Sequence, residues 1–260
     1  MYLRTMLAAI TASLFASTAF AGFVTFEATG VNAAAITPTV DAFRAAIGSL
    51  RREINWDGVP DAQADPNLLP GNFFNVNSPR GVTLSTPGTG FLVSANAGGA
   101  TPVLFGFPND LQAFSAQRLF TAVNSNITDV WFFEPGTINP ATTSAFGLIF
   151  VDVEVASSTQ LQFFDATDTL IYSRYALAGG NQGLSFLGAA ANAGEAISRV
   201  RITAGANTIV SNGVLGNPND DMVVMDDFIY AEPTRGVPEP ATLALLALGL
   251  AGLGFSRRKQ

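Results

Sequence analysis

The chain has 260 residues, 48% of them hydrophobic and 13% charged, and it contains neither cysteine nor histidine. Disulfides, Ser-His-Asp and Cys-His nucleophilic sites and zinc-hydrolase sites are therefore excluded, and the fold rests on core burial, for which the length suffices. The formal charge is −7, and residues 22–240 carry nine Arg, no Lys and all 20 acidic residues, so this body argues against nucleic acid and favours cations or a neutral polymer as partner.

At the start, Arg4 precedes an apolar stretch from Met6 to Phe15, and Ala19-Phe20-Ala21 places small residues at positions −3 and −1. Residues 1–21 read as a secretory signal peptide cleaved after Ala21, which implies export through the Sec translocon. Residues 22–232 read as one domain. Pro38 fits a first helical position, Thr37 can cap it, and Val40, Phe43, Ile47 and Leu50 recur on one face, so one short helix is expected here. From Asn55 to Pro79, four prolines and many Asn and Asp predict a long structured loop, in which Trp56, Leu68, Leu69, Phe73 and Phe74 need burial.

From Val82 onward, short apolar runs alternate with Gly, Asn, Pro and Thr. Strands are expected at 82–86, 91–95, 118–122, 128–133, 146–156, 160–164, 169–175, 197–203, 208–210 and 222–230. Several alternate with period two: Ile149, Val151, Val153 and Val155 against Asp152 and Glu154, and Val200 and Ile202 against Arg199 and Arg201. About ten strands with almost no helix predict an all-β fold, an antiparallel β-sandwich of jelly-roll type.

The strongest constellation in the body is acidic: Asn217, Asn219, Asp220 and Asp221, then Asp226 and Asp227 within an apolar final strand. Adjacent strand residues point to opposite faces, so one of Asp226 and Asp227 should face the core, where an unpaired charge is costly. Calcium would compensate it, since Ca²⁺ takes hard oxygen ligands, and Glu27 on the first strand would join by position. An Arg partner, or a pair exposed at the rim, is the metal-free alternative. Asp57, Asp61 and Asp65 lack EF-hand spacing and read as turn residues and caps. Trp56, Trp131, Tyr172 and Tyr175 could stack on sugar rings if exposed on one sheet face, although Tyr172 and Tyr175 should point to opposite faces. Asp152 and Glu154, about 7 Å apart on one strand face, are the pair a glycoside hydrolase would need, against the reading of a solvated face. No catalytic residue is assigned.

The last residues run Val237-Pro238-Glu239-Pro240, an uncharged apolar stretch from Ala241 to Phe255, then Arg257-Arg258-Lys259. As a helix the fifteen apolar residues span roughly 22 Å, a short transmembrane segment whose basic flank stays cytoplasmic and leaves the body outside. This order, residues 233–260, resembles the PEP-CTERM sorting tail. The resemblance implies an exosortase as partner, which cleaves at or near the Pro-Glu-Pro, and a protein exported to the cell surface or extracellular matrix of a Gram-negative bacterium. In the body, Arg51–Asp61 (RREINWDGVPD), Ser144–Glu154 (SAFGLIFVDVE) and Val224–Tyr230 (VMDDFIY) resemble exported PEP-CTERM proteins with β-sandwich cores. That likeness implies location and fold and assigns no activity. The function expected is a structural or adhesive module in an exopolysaccharide setting, with a calcium-dependent carbohydrate-binding module as the alternative and a glycoside hydrolase third.

Overall fold

The computed structural model describes residues 22–96, 98, 103–210, 214–215 and 221–235. The signal peptide with Ala19 and Ala21, and the tail with Val237, Pro238, Glu239, Pro240, the span 241–255, Arg257, Arg258 and Lys259, lie outside the described residues, as do Asn217, Asn219 and Asp220. No helix among the described residues is long and apolar enough to cross a membrane.

In chain order the elements are β1 (Phe23–Gly30), α1 (Ala33–Ile47), β2 (Arg51–Ile54), α2 (Phe73–Val76), β3 (Val82–Ser85), β4 (Gly90–Val93), β5 (Phe120–Val123), β6 (Ile127–Phe132) and β7 (Ala145–Val151). They continue with β8 (Gln160–Phe164), β9 (Leu170–Tyr175), β10 (Leu184–Ala191), β11 (Arg199–Thr203), β12 (Ile209–Val210), β13 (Val214–Leu215) and β14 (Val224–Ala231). Two sheets result. One runs β1-β10-β7-β14-β5-β12-β13, with β2 paired to β14 and β4 to β5; the other runs β3-β6-β11-β8-β9. The fold is mostly β, and its strand pairs are antiparallel apart from β12 beside β5.

Alternation explains how the sheets share a core. Val130 and Phe132 of β6, Val200 and Ile202 of β11, and Leu161 and Phe163 of β8 are buried in one cluster with Phe146, Leu148 and Phe150 of β7 and Met225, Phe228 and Tyr230 of β14. Arg199 and Arg201 point the other way, as the sequence pattern predicts. The opposite side of β7, β10 and β14 is buried too, because Ile36, Val40 and Phe43 of α1 cover Ile149, Val151, Phe186, Val224 and Ile229. Strands buried on both faces read as nearly continuous apolar runs, and all eight residues of β14 are buried. Phe43 reaches the backbone of that layer, since Gly147 of β7 and Gly188 of β10 are paired beneath its ring.

The helix begins five residues before the predicted start. Asn32 caps it by accepting the Ala35 N–H at 3.1 Å, three alanines with high helix propensity follow, and Pro38 lies inside. Pro38 forfeits one intrahelical bond near the open N-terminal end, and the Thr37 hydroxyl donates not as a cap but backward to the Ala33 carbonyl at 2.7 Å. At the other end Gly48, at φ 81°, returns its N–H to Arg44 and stops the helix, leaving Leu50 outside it and exposed. In the loop, Trp56, Leu69, Phe73 and Phe74 are buried as expected; Leu68 is not.

The strand expected over 146–156 stops at Val151 because Asp152 takes φ 72°, so Val153 and Val155 do not continue its face. Val153 joins the inter-sheet core and Val155 is exposed. No strand is expected from the sequence at β2, β10 or β13. The three stretches that resemble exported PEP-CTERM proteins contain β2, β7 and β14, and β14 pairs with both of the others.

Candidate functional site: an acidic pair on a bulged core strand

Asp226 and Asp227 occupy the middle of β14 and are 0% and 3% exposed. Met225 pairs with Phe150 and Phe228 with Leu148, so the two aspartates together stand opposite the single residue Ile149. This bulge corrects the expectation that adjacent carboxylates diverge: the extra residue breaks the alternation, and both side chains reach Ser115 on the same side of the sheet.

The pair is satisfied by protein donors. Asp226 Oδ2 accepts the backbone N–H of Phe114 at 2.6 Å and of Ser115 at 3.1 Å, and its Oδ1 accepts the Asp227 N–H at 2.9 Å. The Ser115 hydroxyl donates to Asp227 Oδ1 at 2.6 Å, and Arg44 Nη2 of α1 lies 3.8 Å from Asp227 Oδ2. Burial, and then the neighbouring charge of Asp227, pushes the Asp226 carboxyl well above the usual carboxylate range. Burial also raises Asp227, against the lowering influence of Ser115, Asp226 and Arg44. Two such acids side by side favour holding one proton between them.

Arg44 links the pair outward. It donates to both oxygens of Glu53 of β2, at 3.2 and 2.8 Å, and to Asp41 at 3.1 Å. Burial acts to raise Glu53, but Arg44 and Arg51 hold it below its ordinary value. Asp57 accepts the Arg118 N–H at 3.1 Å, and burial followed by the field of Asp227 raises it. Asp61 pairs with buried Arg118 and accepts from Asn96. Asp57 and Asp61 thus serve as backbone acceptor and ion partner, and Asp65 precedes a cis proline.

Glu27 does not join the pair. It makes a two-pronged ion pair with Arg174 of β9, at 3.0 and 2.6 Å. In register it matches Leu187, Leu148 and Phe228 across β10, β7 and β14, three strand spacings or about 14 Å from β14. Among the described residues no three His, Cys, Asp or Glu side chains gather as a metal group. The local chemistry of Asp226 and Asp227 is that of a buried brace tying α1 and the Phe114–Ser115 turn to the bulge. Sequence reasoning misses Ser115 and Arg44, which are 111 and 183 positions away, and carries no signal for either.

Asp152 and Glu154 do not form a solvated strand face either. Asp152 is buried, accepts the Gln182 N–H at 2.8 Å, and is raised to about 7 by burial and then by the charges of Glu154, Asp110 and Asp221. Glu154 is exposed, and its backbone N–H donates to Asp221 at 2.9 Å.

The four aromatic residues separate. Trp56 is buried and stacks on Phe120 with centroids 4.0 Å apart, and Tyr172 packs inward on Phe163 at 4.8 Å. Trp131 and Tyr175 stand on the outer face of the five-stranded sheet, 38% and 48% exposed. Beside Trp131 lies Arg199, whose guanidinium sits 3.7 Å from the centroid of the Phe164 ring.

No curated protein matches this chain. Past Arg235, the last residue described, the sequence matches one family model: residues 236–259 carry the PEP-CTERM protein-sorting motif. That motif implies an exported protein sorted to the cell envelope by an exosortase, here with a β-rich body of unassigned activity.

Proposed function

We propose that the body is a non-enzymatic structural or adhesive module, a jelly-roll β-sandwich held at the cell surface or in the extracellular matrix. Eight strands in chain order, β5 to β11 and β14, support the jelly-roll reading: numbered one to eight, they stand 6-3-8-1 in one sheet and 2-7-4-5 in the other. The observation that carries the function is the placement of β14. This last strand before the sorting motif lies inside its sheet, bonded to β7 on one side and to β2 and β5 on the other, with every residue buried. A pull on the chain's C-terminal side therefore loads a central strand, whereas β1 is, among the described residues, an edge strand paired only with β10. Export through the Sec translocon and contact with exopolysaccharide complete this reading.

The test is localisation together with cohesion of the producing cells. Deleting residues 236–260 should shift the protein out of the envelope, and deleting the whole gene should weaken surface attachment or matrix cohesion. A body found in the cytoplasm, or cells with unchanged attachment and matrix, would sink the reading. A second reading, a carbohydrate-binding module, is favoured by Trp131 and Tyr175 on one outer sheet face. Saturable binding of a neutral glycan that Trp131→Ala abolishes would support it over a purely structural role. Its calcium-dependent form additionally requires that binding to respond to chelator.

A further inference from the structure

We propose that the cleft between the start of β2 and the turn after α2 is a binding site for an oxyanion, a carboxylate or phosphate carried on a polar organic ligand. The cleft encloses about 620 Å³ and is lined by Ser49, Arg51, Arg52, Glu53, Ser78 and Arg80, with Pro79 between the last two. Three of the nine arginines meet here against a single acid, Glu53, in a body whose overall charge is strongly negative. The size suits a sugar or similar small molecule, and the lining carries no aromatic ring that would select a flat apolar one.

Arg80 distinguishes the site. Each of the other eight arginines of the body has a carboxylate within salt-bridge distance. Arg80 has none among the described residues; it donates instead to the Glu53 carbonyl and, at 3.2 Å, to Ser78 Oγ. Its backbone carbonyl accepts the Tyr230 hydroxyl at 3.0 Å, which fixes the segment against β14. The guanidinium is thus positioned by neutral acceptors and keeps its charge uncompensated, the condition that favours a carboxylate or phosphate. The acid in the lining does not cancel it, because the Glu53 carboxylate is already engaged by Arg44 and Arg51.

A second donor without an acceptor lies beside the cleft. A recess of about 60 Å³ shares Ser78 and Arg80 with the cleft and is lined also by Trp56. The Trp56 indole N–H is buried with no acceptor among the described residues. Both observations call for an acceptor-bearing ligand, and neither depends on the structural or adhesive reading.

The experiment uses the full chain as secreted, at low ionic strength. Titrations with trigalacturonate, inorganic phosphate and neutral maltotriose are followed by calorimetry and by fluorescence of Trp131→Phe, which leaves Trp56 as the sole tryptophan. The expected result is saturable binding of trigalacturonate or phosphate, with maltotriose inert, and a loss of about tenfold or more in affinity on Arg80→Gln. Arg51→Gln, at an exposed position, should weaken binding with the melting temperature unchanged, which separates ligand loss from unfolding. Trigalacturonate binding alone assigns a carboxylate site, and phosphate binding alone assigns a phosphate site. No saturable binding of either anion, equal binding of maltotriose, or unchanged affinity in both arginine variants would overturn the proposal.

Discussion

Ser115 reaches both acids of the β14 bulge, its amide donating to Asp226 at 3.1 Å and its hydroxyl to Asp227 at 2.6 Å. One residue of a loop thus closes two of the acceptors that the bulge buries. Ser115→Ala leaves Asp227 without its shortest donor and should destabilise the domain by about 2 kcal/mol in urea unfolding. A loss below about 0.5 kcal/mol would mean that the hydroxyl contributes nothing net.

The same bonds bear on a metal. Because Asp226 is satisfied by three N–H groups and Glu27 is held by Arg174, Asp226→Ala should lower the melting temperature equally in calcium and in chelator. A loss of about 3 kcal/mol corresponds to roughly 6–12 °C for a domain of this size. A loss seen only with calcium present would put an ion back at the pair.

Asp152 carries a pH prediction. Its carboxyl is raised from the usual range to about 7, so the native state holds a proton that the unfolded chain gives up near pH 4. Stability therefore falls as pH rises from about 4 through 7, and the penalty persists above that window. Asp152→Asn removes the titration and also suits the left-handed backbone at φ 72°. It should stabilise by about 2 kcal/mol at pH 8 and by almost nothing at pH 4. A gain of the same size at both pH values would assign the effect to backbone conformation alone.

Gly147 tests the seat of α1. A Cβ there would stand 2.8 Å from the Phe43 ring and 2.9 Å from the Gly188 Cα, with no flexible chain end to yield on the Gly188 side. Gly147→Ala should cost about 1–3 kcal/mol, and Phe43→Leu in the same chain should recover part of it if the ring is the obstacle. Additive losses would locate the clash in the strand pair instead.

What the sequence made legible follows from period and composition. Val200 and Ile202 against Arg199 and Arg201 gave β11 and its faces, because one side of that strand is core and the other is not. The strand β10 carries little signal, because Gly188, small beneath Phe43, and the alanines after it lack the β-branched residues that mark a strand. Asp226 and Asp227 stood out as acids in an apolar run, but the bulge that turns both to one side depends on the register with Ile149, which no local pattern records. Arg80 carried no signal at all, since its lack of a carboxylate partner is a property of the assembled surface.

Arg199 gives the last test. Its guanidinium is buried over Phe164 and donates to Asp129 Oδ1 at 2.9 Å, while Arg201 grips the same carboxylate at 2.9 and 2.7 Å. Asp129 is itself buried, so Asp129→Ala strands a buried cation whose remaining acid, Asp168, is largely exposed. The expected loss is about 3–5 kcal/mol, larger than that of Arg201→Ala, whose side chain is 40% exposed. Replacing Arg199 and Asp129 together by Met and Leu should restore most of the stability, because the buried cation and its desolvation cost are removed and Arg201, which also loses Asp129, is 40% exposed and can be solvated. If the double variant loses as much as Asp129→Ala, the network contributes through geometry that apolar side chains cannot reproduce, and Arg199 braces the sheet rather than merely balancing a charge.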